Sequence, residues 1–201
     1  DAAGYLRRLL ERQSRDRGLA WLAARASADA GQYASVARIV VNHFGTFLVR
    51  PARDLPTDFW RLVYPRPFWD AVQAAARSHD VDPILLLSLM RQESRFDPNA
   101  RSAVGAIGLL QVMPYTAAAL ARRAGVAEIL TERGVDETTL TEPEVNLAIA
   151  ARLNGDLLAL FDDALPPVVA SYNAGEDRVA IWWQAARAGR GSRKICTVRK
   201  P

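Results

Sequence analysis

Cysteine and histidine are almost absent: Cys196, His43 and His79 are the whole supply in 201 residues. A single cysteine rules out an intrachain disulfide and leaves the redox compartment undecided. The two histidines have no metal-ligand spacing to each other or to Cys196, so no metal site is expected, and both read as structural or exposed side chains. There is no Gly-x-Ser-x-Gly elbow of the serine-hydrolase kind. Gly105-Ala106-Ile107-Gly108 lacks the glycine pattern and the preceding strand of a dinucleotide site, and its glycines read as turn residues. No cofactor is expected. No apolar run reaches the ~20 residues that cross a bilayer, so no transmembrane segment is expected. The chain opens at Asp1 without a charged, apolar and small-residue leader, and is expected to be a processed or excised form.

Acidic residues are missing after Asp177. Arg187, Arg190, Arg193, Lys194, Arg199 and Lys200 supply six positive charges beyond Ala186, and removing them from the net +4 leaves −2 for residues 1–186. The basicity therefore belongs to a tail. Without interleaved aromatics that tail reads as a solvated or disordered end, and nucleic acid is not an expected partner.

What is present is helical patterning. Half of the residues are hydrophobic, enough for a core. No stretch alternates with period two, and the fold class is all-α. Leu6, Leu9 and Leu10 share a face. After a break at Arg17-Gly18 come Trp21, Leu22, Ala24 and Ala28, then, past the helix-ending Gly31, Tyr33, Val36, Ala37, Val40 and Val41. Phe44 to Pro56 reads as a connector. Pro67 opens a helix through Ala76, and His79-Asp80-Val81 turns into the next. Thr116 is placed to cap a helix of Ala117 to Ala124. Glu128, Glu132, Asp136 and Glu137 fall in a polar connector. Thr141 with Glu144 forms a capping-box pattern for a long helix to Leu160. Pro166-Pro167 and Asp177 start the last two helices.

Within this pattern one carboxylate stands apart. Asp82-Pro83 is a strong helix start, an N-cap carboxylate followed by a proline whose φ is already helical. The apolar residues Ile84, Leu85, Leu86, Leu87, Leu89 and Met90 follow, and Glu93 falls in the last turn. A helix C-terminus carries partial negative charge, and apolar neighbours remove solvation. Both disfavour the anion, raise the pKa and suit Glu93 to general-acid work. The competing reading is a surface glutamate paired with Arg91 or Arg95.

The residues after Glu93 bear on that choice. Glu93-Ser94-x-Phe96-Asp97-Pro98-x-Ala100-x-Ser102-x-x-Gly105-Ala106-x-Gly108-Leu109-x-Gln111-x-Met113-Pro114 resembles the catalytic signature of the soluble lytic transglycosylases, bacterial enzymes that cleave the glycan strands of peptidoglycan. Asn146 in EVNLAIAARL resembles that family's asparagine-led helix, and Ala170-Ser171-Tyr172-Asn173-Ala174-Gly175 its alanine-tyrosine-asparagine-alanine-glycine motif. Phe59 to Trp69 resembles the entry to the catalytic domain in the long, superhelical branch. Ala150 and Leu153 stand where the family usually has glycine and tyrosine, and its closing glutamate-threonine and tyrosine-valine pairs have no counterpart.

The resemblance implies a lysozyme-like catalytic domain preceded by the end of an α-superhelix. The expected boundaries are 1–55 for the superhelical and linker region, 56–186 for the transglycosylase domain and 187–201 for the basic tail. It implies Glu93 as the catalytic residue, with Ser102, Gln111, Met113 and Tyr172 near the scissile sugar and Asn146 and Asn173 bracing the site, all six grouped as substrate-binding. It implies a periplasmic monomer whose partner is the peptidoglycan glycan strand. Cleaving a β-1,4 glycosidic bond takes an acid on the leaving oxygen and a means of stabilising an oxocarbenium-like centre. No acid after Glu93 has a comparable setting, which favours a single-carboxylate route. In the one the resemblance implies, the N-acetyl group assists and the C6 hydroxyl of N-acetylmuramic acid closes a 1,6-anhydro ring. A lysozyme-like hydrolase and an inactive peptidoglycan-binding module are the other two readings.

Overall fold

A computed structural model describes residues 1–49, 55–134 and 136–188. The expected basic tail, with Cys196, lies outside the described residues from 189 onward. Among the described residues the fold is all-α as expected, and only isolated antiparallel bridges, Arg101 with Ile107 and Ile107 with Val112, occur in place of strands. The chain divides into two compact units between Ala151 and Arg152.

The first unit opens with α1 (Ala2–Arg12), α2 (Arg17–Asp29), α3 (Tyr33–Val49) and α4 (Thr57–Val63). Asp16 Oδ1 accepts from Leu19 N at 2.9 Å, so the break between α1 and α2 precedes Arg17, and Gly18 lies within the first turn of α2. Gly31, at φ 68°, separates α2 from α3 as expected. The connector expected from Phe44 begins later, because α3 continues through Gly45 to Val49. Phe44 is buried edge-on to Trp21 (6.4 Å) and Phe59 (6.0 Å). Burying a phenylalanine contributes ~1.5–3 kcal/mol, more than the ~1 kcal/mol that a helical glycine costs. Ala20, Ala23 and Ala24 are fully buried and let the helices approach closely, and one cluster joins Leu10, Val36, Val40, Phe59, Leu62 and Val63.

Helix α5 (Trp69–His79) starts after Phe68 rather than at Pro67, since Phe68 has a left-handed φ of 55° that no helical turn contains. It ends at left-handed Asp80, with Val81 N donating to Ala76 O at 3.0 Å. Helix α6 (Pro83–Glu93) follows and packs against it. Helix α7 (Pro114–Leu120) starts at its proline, two residues ahead of the Thr116 expected to cap it. The expected polar connector contains two short helices, α8 (Ala127–Arg133), which buries Leu130, and α9 (Glu137–Leu140), whose Leu140 is fully buried. Helix α10 (Pro143–Leu160) begins without the Thr141–Glu144 box: the Thr141 hydroxyl donates to Thr138 O, while Asn146 N donates to Glu142 O at 3.0 Å.

The second unit holds the end of α10, α11 (Leu165–Ala174) and α12 (Glu176–Ala188). Pro166 and Pro167 occupy the first turn of α11 as expected. Leu157, Phe161, Val168 and Val179 form its core, with Trp183 edge-on to Phe161 at 6.3 Å.

Candidate active site

Glu93 is the last residue of α6. Asp82 Oδ1 accepts from Ile84 N at 2.7 Å to start that helix, and Leu86, Leu87, Leu89 and Met90 anchor it in the core. The Glu93 side chain is half-buried and makes no hydrogen bond or ion pair among the described residues; burial alone raises its pKa above the ordinary glutamate value. The competing ion-pair reading fails on geometry. Arg91 donates to the Val63 carbonyl and lies over the Tyr64 ring, 5.0 Å from its centre, and neither it nor Arg95 pairs with Glu93.

The backbone after Glu93 is bent by two consecutive left-handed residues, Arg95 (φ 55°) and Phe96 (φ 66°), and Phe96 is buried. Ser94, which sequence reasoning passed over, ties the helix end to the glycine segment: its buried hydroxyl lies 2.8 Å from Leu109 O and 3.1 Å from Met90 O. One proton serves both carbonyls. Ser94→Ala is expected to cost roughly 1–2 kcal/mol by leaving the Leu109 carbonyl unsatisfied, which urea denaturation would measure.

Asp97, just before Pro98, caps the turn there, accepting from Asn99 N at 2.9 Å. Ser102 Oγ accepts from Ala106 N at 2.9 Å, and Gly105 N closes the same turn on Ser102 O at 3.1 Å. Ile107 and Val112 exchange both backbone hydrogen bonds, at 3.0 and 2.9 Å, and hold Gln111 at φ 48° between them. The Gln111 Nε2 faces two carbonyls, Ala100 O (3.2 Å) and Gly108 O (3.0 Å), which fixes the amide orientation and leaves Oε1 to accept. Met113 precedes α7 and is half-buried; the methionine in the core is Met90.

Asn146 is fully buried and spends its amide on backbone. Oδ1 accepts from Leu110 N, and Nδ2 donates to Ile107 O and Leu140 O, all at 2.9 Å. It has no surface to offer a ligand, which corrects its grouping with substrate-binding residues and leaves bracing as its geometry. Gly108 is more than the turn residue expected: a Cβ there would lie 2.4 Å from Asn146 Nδ2 and 2.5 Å from Leu140 O. The loop and α9 close on one another at a point only glycine fills.

Tyr172 and Asn173 belong to the second unit, on α11. The Tyr172 hydroxyl accepts from Asn154 Nδ2 at 2.6 Å. Asn154 is fully buried, while Asn173 is exposed and makes no side-chain hydrogen bond among the described residues. Bracing of Tyr172 within this unit thus falls to Asn154 and not to Asn173. The available signal is a second asparagine, about two helical turns past Asn146 on the same helix.

The family model described as "Transglycosylase SLT domain" matches residues 70–195, a stretch that contains every one of these positions. Among curated proteins, the soluble lytic murein transglycosylase of Salmonella typhimurium is 31% identical over 119 residues, 59% of this chain and 18% of that protein. A putative soluble lytic murein transglycosylase of Haemophilus influenzae is 28% identical over 129 residues, 64% of this chain and 21% of its own. The chain therefore spans about a fifth of the length of these relatives. Among solved structures, an inactive glutamate-to-glutamine mutant of the lytic transglycosylase Slt from Pseudomonas aeruginosa superposes with a TM-score of 0.66 at 26% identity, covering 83% of this chain and 24% of that one. The 70 kDa soluble lytic transglycosylase of Escherichia coli superposes at 0.67 with 23% identity, over 86% of this chain and 25% of its own, a likeness of fold. Since the matched stretch opens at the second residue of the helix before Glu93 and covers more than half of the sequence, the chain belongs to the transglycosylase SLT domain family.

Proposed function

We propose that this chain is the catalytic portion of a lytic murein transglycosylase. It cleaves the β-1,4 bond between N-acetylmuramic acid and N-acetylglucosamine in periplasmic peptidoglycan and leaves 1,6-anhydro-N-acetylmuramic acid ends. The observation that carries the reading is Glu93: a half-buried carboxyl at a helix terminus, without a partner among the described residues, whose burial favours the protonated form. Three later acids are committed elsewhere. Asp97 and Asp136 cap turns, and Glu142 pairs with Arg133. Hydrogen bonds from Thr139 lower the Asp136 pKa, the opposite direction from Glu93. A relative rendered inactive by exchanging one glutamate for glutamine is in keeping with a single essential carboxyl.

In this reaction the Glu93 proton goes to the glycosidic oxygen as the C1–O bond breaks, releasing N-acetylglucosamine with a free 4-hydroxyl. The resulting carboxylate takes the proton of the muramic acid C6 hydroxyl as O6 bonds to C1, and no water is consumed. Gln111 Oε1 is an acceptor suited to an acetamido N–H, and the Ser102 hydroxyl, already accepting once, keeps its proton to donate to a carbonyl or hydroxyl. The half-buried Met113 side chain supplies an apolar face for sugar carbons, and within the second unit the Tyr172 hydroxyl accepts from Asn154.

Because the acid works protonated, turnover is expected to fall as pH rises through the raised Glu93 pKa, with the descending limb above the ordinary glutamate range. A rate that stayed level from about pH 5 to about pH 9 would contradict the role. Incubation with purified sacculi separates enzyme from binding module: soluble muropeptides should appear, whereas protein that pellets with the wall and releases nothing would refute catalysis.

A further inference from the structure

The family match begins at residue 70 and omits α1 to α4, yet α3 and the end of α4 contact the chain on both sides of Glu93. Two residues before it, Arg91 Nη1 donates to the carbonyl of Val63, the last residue of α4, and the guanidinium caps the Tyr64 ring at 5.0 Å. Tyr64 stacks on Trp60 (6.1 Å, 13°), and Trp60 meets Phe59 edge-on at 5.3 Å, inside the N-terminal core. Three residues after Glu93, buried Phe96 meets Tyr33 edge-on at 6.2 Å. Tyr33 is the first residue of α3, one turn ahead of core Val36. A helix end is the part most prone to fraying, because its last carbonyls lack intrahelical partners. Glu93 occupies that end, and among the described residues its side chain has no hydrogen bond or ion pair to fix it, so its neighbours at −2 and +3 must.

We propose that the N-terminal helices are a working part of the catalytic apparatus, with Arg91 and Tyr33 as positioning residues that clamp the Glu93 backbone from both sides. The Arg91 contact also spends that cation on Val63 and Tyr64, keeping it off the carboxyl that must stay protonated. Arg91 and Tyr33 are half-buried rather than core residues, so their removal is expected to loosen one segment and leave the fold intact. The positioning role rests on Glu93 being the acid; the clamp itself does not.

The test is amide hydrogen exchange on the full chain, with kcat and KM on purified peptidoglycan, for the wild type, Arg91→Ala, Tyr33→Ala, Arg91→Lys and Tyr33→Phe. Exchange over residues 91–97 should accelerate roughly tenfold in both alanine variants and stay unchanged in α5 and α7. Arg91→Lys keeps a donor and a cation, and Tyr33→Phe keeps the ring, so both should restore protection. In the alanine variants kcat should fall roughly tenfold with KM within about twofold, the signature of a displaced acid. Unchanged exchange over 91–97, or acceleration spread equally through α5 and α7, overturns the clamp. Local acceleration with kcat unchanged overturns the positioning role. A wild type without turnover would refute the proposed function, and the exchange data would still decide the clamp.

Discussion

Glu93→Gln should lower turnover of peptidoglycan by roughly 10³-fold or more, because glutamine matches the shape of the carboxylic acid and has no proton to give. Binding should survive. Co-sedimentation with sacculi is expected to stay within about twofold of the wild type, since among the described residues Glu93 makes no hydrogen bond or ion pair that organises the loop. Stability should move the other way from activity. A carboxyl whose folded pKa is raised binds its proton more tightly in the native state, so native stability declines as pH rises through the window from the ordinary value up to the raised one. Glutamine never ionises. The variant should therefore melt higher than the wild type at neutral pH, and the gain should disappear below the ordinary glutamate value of 4.5. Retained turnover in Glu93→Gln would remove the basis of the mechanism.

The largest loss of stability should come from Gly108→Ala. Its φ of 81° is left-handed, and the added methyl would press on Asn146 Nδ2 at 2.4 Å and on the Leu140 carbonyl at 2.5 Å. Relieving that overlap means giving up buried hydrogen bonds as well as tolerating backbone strain, and the sum is roughly 3–5 kcal/mol. For a chain of this size the melting temperature should drop by roughly 10 °C. Asn146→Ala should cost roughly 3 kcal/mol, because the Leu110 amide and the Ile107 and Leu140 carbonyls lose buried partners. The two penalties share atoms. The double variant should thus lose less than the sum of the singles, and additive losses in chemical denaturation would show that the glycine and the asparagine do not meet as described.

Much of the site could be read from the sequence where the signal is local. Asp82-Pro83 and the apolar run behind it place Glu93 at a helix end without any tertiary information, and Gly31, Asp97 and Pro166-Pro167 act where their own chemistry puts them. What stayed hidden depends on distant partners. Gly108 looks like a turn glycine until Asn146, 38 residues on, is laid against it. Arg91 looks like a partner for Glu93 two residues away, and is claimed by a carbonyl 28 residues earlier. Helices α8 and α9 are short and mostly polar, so periodicity alone does not separate them from a connector; single buried leucines, Leu130 and Leu140, hold them. Helix α3 outlasts Phe44 because aromatic packing outweighs the glycine that follows it.

The central claim is that Glu93 serves as both acid and base in a cleavage that consumes no water. Mass spectrometry of the soluble products from purified peptidoglycan, with and without borohydride treatment, tests it most directly. Muropeptides lighter by one water and unchanged by borohydride are the predicted result. Full-mass products that gain two hydrogens on reduction would mean that water attacks instead, and the transglycosylase mechanism would be wrong for this chain.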